Sequence, residues 1–336
     1  MKYKPLIIAA VGILLLFVLS QWDINRFYYF AGFAIMQYIV MATAWNILGG
    51  YAGYVNFGSA GFLATGAYTS VALINLFEAS IVVQIIAGGL VAGFLGFVTG
   101  YLTLRLRGVY FAIATLALAI VLETFVANWE YVGGAAGISI LPPRSPELFG
   151  LSIIDRKGAT IAMYLAGEAG EKTFTLFHNW KEMLFFLMGT IAVLSLLVAR
   201  TIENSKLGRG LNSIKDNEEA AECMGVPTLR LKLTITTISG AMMGVAGAPL
   251  VSYLTFIDPL SAFNLEYAVN AIAMPMIGGT ISWMGPLIGA VLLGTAQQVA
   301  IVMISSELNL LIVGVLLVTF VIIAPGGILG WFKKYK

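Results

Sequence analysis

Charge is scarce in this sequence: 11% of its 336 residues are Asp, Glu, Lys or Arg, while 59% are hydrophobic. A water-facing domain carries roughly a quarter charged residues, so a soluble surface is excluded for most of the chain and lipid is its solvent. The one cysteine, Cys223, excludes an internal disulfide framework and reads as a small structural residue. The one histidine, His178, has no second histidine or cysteine nearby with which to share a metal, so a surface or interfacial role is expected and a metal site is not. No G-x-x-x-x-G-K-S/T loop occurs, which excludes ATP binding by that device within this chain. Dinucleotide fingerprints, H-E-x-x-H helices, C-x-x-C pairs and G-x-S-x-G elbows are missing as well. Neither catalytic residues nor a cofactor of the chain's own are therefore expected.

What fills the sequence is apolar runs. Ten of them reach or approach the roughly 20 residues that carry a helix across a bilayer: 5–20, 27–48, 57–77, 81–103, 109–128, 183–200, 232–254, 265–281, 286–304 and 309–324. Strands of a membrane barrel would alternate apolar and polar residues, whereas these runs are continuous, so they read as helices. The first run follows Lys2 and Lys4 as a signal peptide would, but no small-residue cleavage site appears at Ser20-Gln21-Trp22. With the N-terminus inside, 13 of the 19 basic residues fall on the inner side, among them Arg105, Arg107, Arg200, Arg209, Lys215 and Lys232. The positive-inside rule then favours both termini inside. The expectation is an all-α integral membrane protein of about ten transmembrane helices, N- and C-termini cytoplasmic. It forms a single transmembrane domain over 1–336, with an external loop at 129–181 and a cytoplasmic loop at 200–232.

The external loop contains Gly133-Gly134, Gly137 and the turn-forming Pro142-Pro143, and its later part, with Glu168, Glu171 and Lys172, has room for a short surface helix. The inner loop reads as two short helices. One lies near 210–215; the other covers 218–224, with Asp216 as N-cap, Glu219 completing a capping box and Gly225 as the C-terminal stop. Helices this short need docking to persist. From the pair Gly88-Gly89 onward, glycines recur three or four residues apart at Gly93, Gly96 and Gly100, a spacing that lets membrane helices approach closely. Two further clusters, Gly49 to Gly58 and Gly278 to Gly285, stand between consecutive runs, as a broken helix or an ordinary turn would require.

Ion-coupled transporters and pumps place ionisable groups within their spans, and here only Glu123 lies well inside one. One acid is a poor basis for proton coupling, so the energy source is expected on other chains.

Four blocks of residues resemble a known family. The stretch Leu104-Arg105-Leu106-Arg107-Gly108-Val109-Tyr110-Phe111-Ala112-Ile113-Ala114-Thr115-Leu116-Ala117 is similar to the L-R-L-R-G-x-Y-F-A-I-x-T-L-A signature of LivM-type permeases, subunits of branched-chain amino acid ABC importers. Gly50-Tyr51-Ala52-Gly53 through Ala67-Tyr68-Thr69 resembles their G-Y-A-G segment, and Gly278-Gly279-Thr280 with Trp283, Gly285 and Pro286 resembles a later one. In the inner loop, Ser205, Gly208 and Arg209 match S-x-x-G-R, and Asp216-Asn217-Glu218, Ala220-Ala221 and Met224-Gly225 match D-N-E-x-A-A-x-x-M-G. Glu219-Ala220-Ala221 followed by Gly225 also resembles the E-A-A-x-x-x-G core of ABC permeases more widely.

The resemblance implies an inner-membrane, multi-pass permease that pairs with a second, homologous permease, two ABC ATPase subunits that bind ATP and Mg, and a periplasmic or external substrate-binding protein. Arg209, Asn217, Glu218, Glu219, Ala220, Ala221 and Gly225 would then form the surface coupled to an ATPase. Asn56, Ser59, Thr115 and Asn270 are the polar residues nominated for the translocation pathway. Where the family has Gln, Ser and His, this chain has Tyr54, Asn56 and Ser59; if these positions meet substrate, the family's selectivity does not carry over. A urea or short-chain amide permease is the nearest alternative, an ion-coupled secondary transporter a more distant one, and a membrane enzyme is disfavoured by the missing acid–base cluster.

Overall fold

Within an apolar run the backbone N–H and C=O groups find no water, so each run satisfies them along its own helix. The computed structural model of the chain describes residues 4–22, 25–77, 79–103, 106, 108–140, 147–148, 151–152, 159–161, 174–177, 180–303, 311, 314–315, 318–319, 322 and 326–334. The helices are α1 (Lys4–Ser20), α2 (Arg26–Ala52), α3 (Ser59–Phe77), α4 (Ile81–Thr103), α5 (Val109–Ala127) and α6 (Trp180–Asn204), then the short α7 (Lys206–Asp216) and α8 (Glu218–Cys223). They continue with α9 (Thr228–Leu254), the single turn α10 (Pro259–Ala262), α11 (Leu265–Gly278), α12 (Met284–Met303) and α13 (Gly327–Lys334). Among the described residues, seven helices are long and apolar enough to cross a membrane: α2, α3, α4, α5, α6, α9 and α12. The runs at 5–20 and 265–281 give shorter helices of 17 and 14 residues. Helix α11 stops because Gly279 takes a φ of 114°, a left-handed backbone that glycine alone adopts freely. The tenth run, 309–324, lies largely outside the described residues.

Helices α2 and α9 occupy the centre, each with 72% of its apolar stretch buried. Helix α9 packs chiefly on α4 and α3; α2 packs on α6, α9, α12 and α11, and α1 lies against α6. The α4–α9 seam is backbone against backbone: a Cβ added at Gly96 would stand 2.7 Å from the Thr236 carbonyl oxygen, and one at Gly240 would stand 2.8 Å from that of Ala92. Lipid tails are as apolar as leucine, so helices in a membrane associate through such close van der Waals contact rather than through hydrophobic exclusion. The Ser239 hydroxyl ties α9 to α2 by donating to the Ala44 carbonyl at 2.7 Å.

The two ends of the bundle differ. At one end lie α7, α8 and the extended segment 53–58. The other end carries two 3-10 turns (Glu130–Val132 and Gly134–Ala136) and the antiparallel pairing of β1 (Ile138–Ser139) with β6 (Phe256–Ile257), in which Ile138 faces Ile257. Between 141 and 179 the described residues form two short hairpins, β2 (Glu147–Leu148) with β3 (Leu151–Ser152) and β4 (Ala159–Ile161) with β5 (Phe174–Phe177). The surface helix expected around Glu168, Glu171 and Lys172, and His178, lie outside the described residues.

The two helices expected in the 200–232 loop are present, with one boundary corrected. Asp216, expected as the N-cap of the second, is the last residue of α7; Asn217 is the cap, its Oδ1 accepting from the Ala220 N–H at 3.0 Å. Asp and Asn are equally good caps, and the extended backbone at Asn217 (φ −161°, ψ 109°) decides between them. Gly225 ends α8 as expected, with φ 81° and with the Val226 N–H donating to the Ala221 carbonyl at 3.0 Å.

Candidate functional site

A buried ammonium must be paired, and Lys232, in the second turn of α9, is one, its side chain 4% exposed. Its Nζ donates to Glu218 Oε1 at 2.6 Å and to the Tyr54 hydroxyl at 3.2 Å, and lies 5.1 Å from the Tyr54 ring centroid. The Tyr54 hydroxyl donates in turn to Glu218 Oε2. Glu218, the first residue of α8, is thus gripped by α9 and by the segment that follows α2.

Parallel contacts join the rest of this end. Lys215 Nζ donates to the Gly50 carbonyl at 2.8 Å. Glu203 Oε2 accepts from the Trp283 N–H at 2.7 Å and from the Tyr51 hydroxyl at 3.3 Å, while the Arg200 guanidinium lies 5.4 Å from the Trp283 ring centroid. Gly50 approaches Thr280 so closely that an added Cβ would lie 2.8 Å from its carbonyl oxygen, so the two glycine-rich breaks touch each other. Phe111 meets the Tyr54 ring edge-on at 5.2 Å. All four blocks that carry the family resemblance therefore converge here, although Leu104, Arg105 and Arg107 lie outside the described residues.

The residues nominated for coupling divide between two roles. Ser205, which belongs to the same family block but is not among them, caps α7 by accepting from the Gly208 N–H at 3.3 Å. Glu218 and Ala221 face the bundle, Asn217 caps α8, and Arg209, Glu219, Ala220 and Gly225 are exposed. Beside them Met224, 85% exposed, leaves an apolar knob at the tip of α8.

A second region runs along α5. Helix α2 ends at Gly53 (φ 79°), and the chain then stays extended to Asn56. The Trp45 indole N–H donates to the Asn56 carbonyl at 2.9 Å, Asn56 Oδ1 accepts from the Gly58 N–H at 2.8 Å, and Thr115 Oγ1 accepts from the Phe57 N–H at 3.2 Å. The Ser59 hydroxyl donates to the same Asn56 carbonyl at 3.3 Å. Three of the four nominated pathway residues, Asn56, Ser59 and Thr115, are thus brought together, buried, with these bonds directed at the 53–59 segment. Asn270 is not among them: its Oδ1 accepts from Gln297 Nε2 at 2.8 Å between α11 and α12.

The anchored segment holds Phe57 between two cavities. One, about 530 Å³, is bounded by Tyr54, Phe57, Val109, Ala112, Lys215 and Glu218. The other, about 450 Å³, is bounded by Phe57, Leu116, Ala119, Glu123, Phe263 and Asn264. Val109, Ala112, Leu116, Ala119 and Glu123 recur at intervals of three and four and so share one face of α5. The result is a groove along that face, divided by the Phe57 ring. The sequence reading passed over Phe57 and the pairing role of Lys232. A charge inside an otherwise apolar helix was the available signal for Lys232; nothing local marked Phe57.

Residues 27–321 match the family described as the permease component of branched-chain amino acid transport systems. The chain belongs to that family. Its resemblance to LivM-type permeases holds over most of its length: it is 32% identical over 302 residues to the high-affinity branched-chain amino acid transport system permease protein LivM of Escherichia coli, covering 88% of this chain and 68% of that protein. The LivH permease protein of the same system in Escherichia coli is 23% identical over 308 residues, covering 87% of this chain and 91% of LivH. A shorter match, 30% over 140 residues, covers 39% of this chain and 42% of the Escherichia coli L-arabinose transport system permease protein AraH. No solved structure matches the chain. With its apolar helices, the permease is a multi-pass inner-membrane protein.

Proposed function

We propose that this permease is one membrane subunit of an ABC importer for branched-chain or related hydrophobic amino acids. It works with a second permease, two ATPase subunits that bind ATP and Mg, and an external binding protein. The observation that carries the reading is the convergence of the four family blocks on the end of the bundle that carries α7 and α8, where Glu218 is bound to both Lys232 and Tyr54. In this reading the α7–α8 end is cytoplasmic, the 129–181 loop is external, and α1, α11 and the run at 309–324 complete ten spans with both termini inside.

An ATPase docks on the exposed faces of α7 and α8, at Arg209, Glu219, Ala220, Gly225 and the Met224 knob. Closure of the ATPases displaces α8 as a rigid body. Because Glu218 is bound to both Lys232 and Tyr54, and Ala221 is buried on the inner face of α8, the displacement reaches α9 and the 53–58 segment together. Phe57 rides on that segment, so the barrier between the two cavities moves with it. Asn56, Ser59 and Thr115 serve the pathway by holding the Phe57 backbone, and Asn270 by setting α11 against α12.

The test is uptake by the reconstituted importer. Glu219→Ala and Gly225→Val are each expected to lower leucine uptake by about tenfold or more, with the loss extending to the ATPase activity stimulated by loaded binding protein and with normal amounts of the subunit in the membrane. Normal uptake and normal stimulated ATPase in both variants would sink the coupling assignment.

A further inference from the structure

Glu123 lies one turn before the end of α5 at Ala127. It is partly exposed and makes no hydrogen bond or ion pair with the described residues. A carboxylate at that depth is costly against hydrocarbon and calls for water, a partner chain or a ligand. It borders the 450 Å³ cavity, whose floor is Phe57 and whose wall descends from Glu123 through Ala119 to Leu116. Among the described residues, no Lys or Arg lines this cavity. At its rim, Asn264 Oδ1 accepts from the Glu266 N–H at 2.9 Å, which leaves the Nδ2 hydrogens for an anionic group.

One negative group, one neutral donor and an apolar wall make a set whose complement is a small zwitterion with an aliphatic tail. The volume falls within the roughly 300–1,000 Å³ usual for small-molecule sites. The geometry points to Glu123 as the ammonium-binding group of a substrate site in this groove, which takes an apolar amino acid with its side chain toward Leu116 and Phe57. The carboxylate of the same molecule faces Asn264. This inference rests on the importer reading above and adds to it where the substrate waits before Phe57 moves.

The experiment uses the complete importer in proteoliposomes, with saturating leucine-loaded binding protein, and compares the wild type with Glu123→Gln and Glu123→Asp. Leucine uptake per ATP hydrolysed, normalised to assembled complex, is expected to fall roughly tenfold to a hundredfold in Glu123→Gln, the range for a lost hydrogen bond to a charged group. Glu123→Asp should restore most of it, and stimulated ATPase activity should persist in both. Uptake equal to wild type in Glu123→Gln would overturn the assignment. So would a loss that Glu123→Asp shares and that stimulated ATPase activity follows, because it would mark Glu123 as a packing or assembly residue. A wild-type importer that hydrolyses ATP without taking up any apolar amino acid would overturn the importer reading itself, and the ammonium site with it.

Discussion

Helices α9 and α5 are both long enough to cross a membrane, yet 72% of the apolar stretch of α9 is buried within the chain against 28% of that of α5. The more apolar helix is the more exposed one. What separates them is glycine: α9 carries Gly240, Gly244 and Gly247 at intervals of four and three, each against the backbone of α3 or α4, while α5 has none. In lipid, apolarity admits a helix to the membrane, and small residues decide which neighbour it touches. Helix α5 instead presents Tyr110, Ile113, Val121 and Phe125 outward. Its charges differ from those of α9 in the same way. Lys232 in α9 is paired within the chain, whereas Glu123 in α5 has no partner among the described residues.

The charged residues offer the strongest way to break this comparison. Lys232→Met is expected to destabilise the purified permease by about 3–5 kcal/mol, because it strands Glu218 partly buried; the double variant with Glu218→Gln should regain part of that loss. If Lys232→Met leaves the thermal midpoint in detergent unchanged, α9 is not held as described. Next in size is added bulk. Gly247→Leu, directed at the Leu63 carbonyl, should cost about 3 kcal/mol or more, whereas Ala117→Leu on the exposed side of α5 should stay within about 0.5 kcal/mol. Equal losses in melting experiments would erase the distinction between the helices. The smallest effect on the chain alone sharpens the comparison: Tyr110→Ala should change its stability by no more than about 0.5 kcal/mol, while lowering the amount of the second permease that co-purifies with it. Unchanged co-purification would mean that this part of α5 faces lipid.

The apolar runs made nine of the helices legible, because backbone satisfaction in lipid leaves a continuous run no alternative. The paired short helices of the 200–232 loop were legible from Gly225 and the cap residues, although local chemistry could not choose between Asp216 and Asn217. The candidate site was less legible. Tyr54 reads in sequence as a departure from the family that bears on selectivity; the structure bonds its hydroxyl to Glu218, 164 residues away. Asn56 and Ser59 belong to the same segment but hold its backbone.

By itself the sequence determined the solvent, the helical class, the caps, the lack of a phosphate loop and the family blocks, since each depends on composition or on neighbours a few residues apart. Only the tertiary structure decided that the blocks meet at the α7–α8 end of the bundle, that Lys232 is buried rather than one more surface charge, and that Phe57 divides a groove on α5. Those facts rest on contacts between residues far apart in the chain, and helical periodicity records which face is apolar, not what that face will touch.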